Sequence, residues 1–141
     1  MPMRILTFAL SMLIPALAWS NPLVGAWEYD ADRIVSELRG NPATPSKILK
    51  CFELKACGHN VRFEYSETRW RQITKFEGSP PIASDYTDYQ VLELTPDQIT
   101  INTIIDGSST TAKYRILGDD EVSTTIEYEG FQWNEYYRRA H

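Results

Sequence analysis

The chain has 141 residues, of which 43% are apolar and 23% are charged, with 14 Lys and Arg against 19 Asp and Glu. These proportions are typical of one folded domain and exclude a disordered chain, a collagen-like repeat and a multidomain protein. The net charge of −5 provides no excess of basic residues for a phosphate backbone, so we expect no nucleic-acid partner.

Residues 1–20 have the pattern of a secretory signal peptide. An apolar run over residues 5–17 follows Arg4, and small residues at Ala18 and Ser20 offer two cleavage positions, of which we favour Ser20. The run is too short to span a bilayer core of about 30 Å. We therefore predict a cleaved leader over 1–20, a mature domain over 21–141 that does not span a membrane, and a periplasmic location, with extracellular release as the alternative.

Two short helices are predicted next. Asp30 is a suitable N-cap for a helix over 31–39, which carries apolar residues on one face. A second helix is predicted to begin at Thr44-Pro45, with Thr44 as its cap and Pro45 in its first turn, and to end by Gly58.

Cys51 and Cys57 are the two cysteines of the chain. An even number in an exported protein favours a disulfide bond between them. The alternative is that both lie on one regular helix, where a separation of six residues turns them about 240° apart and the sulfurs cannot meet. A disulfide therefore requires the second helix to end before Cys57.

From residue 60 onward the apolar period changes to two, which is typical of strands. Connections such as Asp106-Gly107-Ser108 have turn chemistry and are short, so successive strands are antiparallel. Residues 77–87, with Pro80-Pro81, form the one long loop. We predict strands over 24–28, 61–65, 70–76, 89–95, 98–105, 110–117, 121–128 and 131–138.

A meander of this size is expected to close into a barrel, which removes its exposed edges. The fold class is therefore mainly β, a single antiparallel up-and-down barrel of about eight strands with two short helices after the first strand.

Gly25-Ala26-Trp27 on the opening strand resembles the G-x-W motif of lipocalins and the wider calycin group. In that group the Trp packs at the closed end of the barrel, under an Arg from the last strand. The chain ends with Arg138 and Arg139 on its last predicted strand, and alternation does not decide between them. The resemblance implies a small secreted bacterial lipocalin-like barrel. Two helices directly after the first strand depart from the usual lipocalin connection and are closer to the lid of fatty-acid-binding proteins.

The sequence contains no arrangement that specifies a reaction. His59 is the one histidine placed to serve a nucleophile, and Cys-x5-Cys-x-His over residues 51–59 is not a standard zinc spacing. Carboxylates are plentiful, but no pair has a defined separation across a cleft. Those considered are Asp85, Asp88, Glu127 and Glu129. We predict no catalytic residue, no metal and no cofactor.

The interior is predicted to be apolar with several phenol hydroxyls, which suits a small hydrophobic or amphipathic ligand. The predicted lumen-lining ligand residues are Phe63, Tyr65, Trp70, Tyr114 and Tyr128. Phe76 and Ile126 are also assigned inward. The alternative is a barrel filled by its own side chains, which acts through its surface as an envelope-associated or inhibitor-like protein with an unknown protein partner. The exposed aromatic anchors of that alternative are Tyr86, Tyr89, Trp133 and Tyr136.

Overall fold

The structure is a computed structural model and describes residues 20–141. Apart from Ser20, the predicted signal peptide lies outside the described residues, so its existence and cleavage site stay predictions.

The described chain contains nine strands and two helices. The strands are β1 Gly25–Tyr29, β2 Val61–Tyr65, β3 Arg69–Thr74, β4 Ile82–Ala83, β5 Thr87–Thr95, β6 Gln98–Ile105, β7 Ser108–Gly118, β8 Glu121–Tyr128 and β9 Phe131–Arg139. The helices are α1 Ala31–Gly40 and α2 Ser46–Glu53.

Eight of these strands form a closed antiparallel barrel. With β4 left aside, each strand pairs with the next one along the chain, so that β3 pairs with β5. The ring is completed by the pairing of β9 with β1. The two-residue strand β4 lies outside the ring and pairs with β3. The predicted fold class is therefore confirmed, including the two helices after the first strand.

Strand β4 modifies the prediction for the long loop. Part of residues 77–87 is tied to the barrel, because the backbone N–H of Ser84 donates to the carbonyl of Gln72 at 2.8 Å and the Ser84 hydroxyl accepts from the Gln72 N–H at 2.9 Å. Phe76 is also corrected: it is 50% exposed and lies beyond the end of β3, which stops at Thr74. The alternating sequence continues past the last ladder hydrogen bond, so alternation alone extended the strand too far.

Helix α1 begins as predicted, since the Asp30 side chain accepts a hydrogen bond from the backbone N–H of Arg33. The cap predicted for α2 is wrong. Thr44 donates its hydroxyl to the carbonyl of Leu38 at 2.7 Å, so it satisfies the C-terminal end of α1 instead, and α2 has Pro45 as its N-cap with no side-chain hydrogen bond.

Helix α2 lies at one end of the barrel, which we call the helix end, and α1 packs beside it on the outer face of β9. Their apolar residues Ile34, Leu38, Ile48 and Phe52 form one buried cluster with Tyr136, against which Phe131 and Trp133 of β9 also pack. Tyr136 donates its hydroxyl to Glu37 at 2.6 Å, and Arg33 lies 3.9 Å above its ring. Helix α1 is thereby attached to the side of the barrel at β9.

Candidate ligand pocket

The opposite end of the barrel, the closed end, is sealed by the G-x-W segment. Trp27 is 2% exposed, and its indole Nε1 donates to the carbonyl of Leu23 at 2.9 Å. The Arg139 guanidinium carbon lies 4.4 Å from the centre of the Trp27 ring, which is cation–π geometry. Arg138 instead faces Glu28 on the outer surface. The structure therefore selects Arg139 from the two arginines that the sequence left open.

Arg139 also explains the glycine of the motif. Its guanidinium donates to the carbonyls of Asp119, Val24 and Pro22 at 2.8, 2.8 and 3.0 Å. Gly25 has φ +129°, and a Cβ at this position would lie 2.6 Å from Arg139 Nη1. A side chain at residue 25 would push the guanidinium off its carbonyls, so glycine is required there.

Four of the five predicted lumen residues come together inside the barrel. Phe63 and Trp70 have ring centres 6.2 Å apart, Tyr65 and Trp70 stack at 6.1 Å, and the hydroxyls of Tyr65 and Tyr114 lie 3.5 Å apart. Burial raises the pKa of both tyrosines, so they remain protonated.

The lumen around these residues is nearly filled. The space among Trp27, Phe63, Tyr65, Tyr114 and Tyr137 has a volume of about 40 Å³. This is room for about one to three water molecules and far less than the roughly 300–1,000 Å³ of small-molecule sites. The space among these lumen residues is therefore too small for a ligand of ordinary size.

Tyr128, the fifth predicted residue, is not in the lumen. It is 52% exposed near the end of β8, where it helps to line a pocket of about 470 Å³ between the barrel and α2. Lys47 on α2 lies 4.9 Å from the centre of the Tyr128 ring. This volume falls within the usual range of ligand sites.

We call this space the helix-end pocket. Helix α2 and the segment after it form one side, and the ends of β1, β8 and β9 form the other. The lining residues are Tyr29, Lys47, Ile48, Cys51, Phe52, Cys57, Gly58, Tyr128, Trp133 and Glu135. Five of these ten residues are aromatic or aliphatic, two are the cysteines of the disulfide, and there is one acid and one base among them.

The segment after α2 is held by the predicted disulfide, which is confirmed. Cys51 lies in α2, the helix ends at Glu53, and the chain then turns back so that Cys57 bonds to Cys51. Gly58 follows with φ +75°, and a Cβ there would clash with the Tyr29 ring. The disulfide and Gly58 together set the distance between this segment and the barrel.

Glu135 is the buried acid of the pocket. It is 7% exposed and accepts hydrogen bonds from the Tyr137 hydroxyl at 2.9 Å and from Trp133 Nε1 at 3.2 Å. Burial raises the pKa of its carboxyl, and the hydrogen bonds partly offset this rise. Burial and the nearby charge of Glu135 also raise the pKa of Tyr29 to about 12.

Sequence reasoning missed Glu135 and Lys47. One signal was present in the sequence, because Glu135 alternates in phase with Trp133 and Tyr137 on the last predicted strand. An acid in phase with large aromatic residues on a barrel strand indicates an inward carboxylate. No comparable signal marks Lys47, because it depends on where α2 packs.

The remaining candidates lie apart from this pocket. His59, Asp85, Asp88 and Glu127 are exposed. In the described part of the chain no three or more side chains of the metal-binding types come together. Of the aromatic anchors expected on the surface, Tyr86 is exposed, whereas Tyr89 and Tyr136 are buried and Trp133 lines the pocket.

Neither helix of residues 20–141 has the length and apolar character that crossing a membrane requires.

A closed eight-stranded up-and-down barrel with a sealed end under a Trp–Arg pair is a lipocalin-like fold. No protein-family model matches the sequence, and no curated protein matches it in sequence comparison. Among solved structures, the fold is similar to that of a lipocalin-like protein from Bacteroides uniformis. The identity is 16% and the TM-score is 0.42, with 85% of this chain and 100% of that chain covered.

Proposed function

We propose that this protein is an exported lipocalin-like module that binds a small amphipathic molecule in the helix-end pocket. The observation that carries the proposal is a pocket of about 470 Å³ that is lined by five aromatic or aliphatic side chains and the disulfide and that also contains a buried carboxylate. Such sites hold the body of a ligand by apolar contact and orient it with a few polar groups. No covalent chemistry is proposed.

The pocket replaces the lumen as the proposed site because of volume. About 40 Å³ remains among the lumen residues, against about 470 Å³ at the helix end. The lumen tyrosines and Trp70 then act as packing that supports the barrel wall behind the pocket.

Two features support export to the periplasm. Residues 1–20 have a signal-peptide pattern, and the disulfide between Cys51 and Cys57 is stable in an oxidising compartment. We therefore propose that the working form is residues 21–141 with the disulfide formed.

The experiment is a titration of the oxidised protein with N-phenyl-1-naphthylamine, a neutral apolar fluorophore. Tyr128→Ala removes part of the pocket wall and is expected to weaken binding by about 2- to 10-fold. Tyr86→Ala is the matched control. Tyr86 is 53% exposed and has a basic residue, Arg71, 4.9 Å from its ring, but it lies outside the pocket.

Each result bears on the proposal. Equal loss of binding in both variants, or no binding to the wild type together with a native mass equal to that of the bare chain, would contradict it. Binding that neither variant weakens would return the site to the lumen residues Phe63, Tyr65, Trp70 and Tyr114.

A protein that acts through its surface is the second candidate, and the filled lumen favours it. Strands β5 and β6 also expose several apolar side chains, a feature that often marks a contact surface. These are Val91, Leu92, Ile104 and Ile105. This candidate predicts that the protein fractionates with the cell envelope and that Leu92→Asp releases it, while fluorophore binding is absent.

A further inference from the structure

We propose that the helix-end pocket selects ligands in which an apolar body carries a protonated amine, and that the Glu135 carboxylate binds this amine. The inference rests on the proposed function, since it names the class of ligand for the same pocket.

The first step is the position of Glu135. It lies on the inward face of β9 between Trp133 and Tyr137, and it is 7% exposed at the wall of the pocket. Its carboxylate oxygens accept hydrogen bonds from the Tyr137 hydroxyl and from Trp133 Nε1, and the Tyr29 hydroxyl also stabilises the carboxylate. A carboxylate has about four acceptor positions, so further donors can still be accommodated.

The second step is the absence of a protein cation beside this acid. Within residues 20–141 no Lys or Arg forms an ion pair with Glu135. Its hydrogen-bond donors Tyr137, Trp133 and Tyr29 are all neutral groups. A buried carboxylate without a counter-charge is unfavourable, and a cation that enters the pocket relieves this cost.

Lys47, the basic residue of the lining, does not make the pocket favour anions. Its Nζ lies 2.6 Å from Glu129 Oε2, and both side chains are more than half exposed. The Lys47–Glu129 pair is therefore neutral as a unit and screened by water. Glu135 acts in a drier environment, where a charge attracts its partner more strongly. The net preference is for a cation over an anion.

The third step is the character of the walls. The rings of Tyr29, Tyr128 and Trp133 border the pocket. Aromatic faces attract cations through the ring quadrupole and also bury an apolar body. The walls and the acid therefore favour the same kind of ligand, an amine attached to an aromatic or aliphatic group.

The test compares three molecules with one indole body in displacing N-phenyl-1-naphthylamine. Tryptamine is cationic, 3-ethylindole is neutral and indole-3-propionate is anionic. With the wild type, tryptamine is expected to displace the fluorophore at concentrations lower by about tenfold or more than 3-ethylindole, and indole-3-propionate is expected to be the weakest. This ranking needs no variant, so it holds even if a substitution at Glu135 prevents folding.

Variants then assign the preference to Glu135. Glu135→Gln keeps the size of the side chain and removes its charge, so tryptamine and 3-ethylindole are expected to compete within about twofold of each other. Tyr86→Ala lies outside the pocket and is expected to keep the amine preference. Lys47→Gln removes the basic residue of the lining but leaves Glu135 and its hydrogen bonds in place, so the amine preference is expected not to fall.

The outcomes separate this inference from the proposed function. If 3-ethylindole competes as well as tryptamine in the wild type, or if Glu135→Gln retains the preference, the amine selectivity is overturned while ligand binding stands. If Lys47→Gln abolishes binding of indole-3-propionate and that molecule ranks first, the pocket selects anions. If no fluorophore binds and none of the three indoles binds in direct calorimetric titration, both proposals fail.

Discussion

The two ends of the barrel each pair a tryptophan with a charged residue, and they differ in whether the charge is neutralised. At the closed end, Arg139 covers Trp27 and donates to three backbone carbonyls, so its hydrogen-bonding groups are largely used. At the helix end, Trp133 donates to Glu135, whose charge has no cation beside it within the described residues. The closed end has the properties of a structural seal, and the helix end has those of a recognition site.

The two ends of the barrel also differ in how tightly they are packed. At the closed end, Leu23 and Trp27 are buried, and a Cβ at residue 25 would lie 2.6 Å from Arg139 Nη1, so the guanidinium packs directly against the Gly25 backbone. At the helix end, the disulfide closes the chain after α2 and Gly58 packs against the Tyr29 ring, yet about 470 Å³ remains between α2 and the barrel. A filled end contributes stability, whereas a void between elements forgoes contacts that a ligand can later supply.

The largest expected effect breaks the closed end. Trp27→Ala removes a fully buried indole and should lower the free energy of unfolding by about 3–5 kcal/mol. Urea unfolding at equilibrium measures this change. A loss below about 1 kcal/mol would contradict the role of Trp27 as the centre of the seal.

Loss of the disulfide should act on the helix end. Replacing Cys51 and Cys57 by Ala removes a cross-link that closes a short loop, and it should lower the free energy of unfolding by about 2–3 kcal/mol. Hydrogen exchange should show lost protection over residues 46–60 with protection retained at residues 23–27. Equal loss at both ends would mean that the two ends unfold as one unit.

The two neighbouring arginines provide a matched pair. Arg139→Met removes the bonds to three carbonyls and the contact with Trp27, and it should cost about 1–2 kcal/mol. Arg138→Met removes an ion pair with Glu28 at the surface and should change stability by less than about 0.5 kcal/mol. Similar losses in the two variants would contradict the assignment of Arg139 to the seal.

The smallest expected effect is the pH dependence due to Glu135. Burial raises the pKa of its carboxyl in the folded protein above the ordinary value of 4.5, so the fold favours the protonated form. This contribution to stability is fully present below pH 4.5 and is lost as the pH rises through the raised folded pKa. Glu135→Gln should therefore gain stability relative to the wild type between pH 4.5 and neutral pH. Parallel stability profiles for the two proteins would show that the carboxyl is not perturbed.

Much of the fold was predictable because local rules agree with the tertiary structure. Asp30 caps α1 as the pattern indicates. The period-two residues from Val61 form antiparallel strands, as predicted. The disulfide was predicted from an even number of cysteines in an exported protein, and its condition, that α2 ends before Cys57, is met. These features depend on backbone preferences within a few residues of one another.

The errors occur where contacts from distant segments decide. Thr44 had two helix ends within reach, and it bonds to Leu38 of α1. Tyr89 and Tyr136 were expected on the surface, but the Leu23 cluster buries one and α1 buries the other. Tyr128 has the inward phase of its strand, yet it lies past the filled part of the barrel and borders the pocket.

The amino-acid sequence by itself predicted the strands of a closed barrel, the disulfide and the Gly25–Trp27 part of the seal, because periodicity, turn chemistry and short motifs are local. The export signal stays a prediction. Only the tertiary structure decided which arginine covers Trp27, how little room the lumen keeps and where the pocket lies. Free volume is the difference between the space that the backbone encloses and the side chains that fill it. That difference depends on how the helices, the disulfide loop and three strand ends pack together, and no single segment of the sequence encodes it.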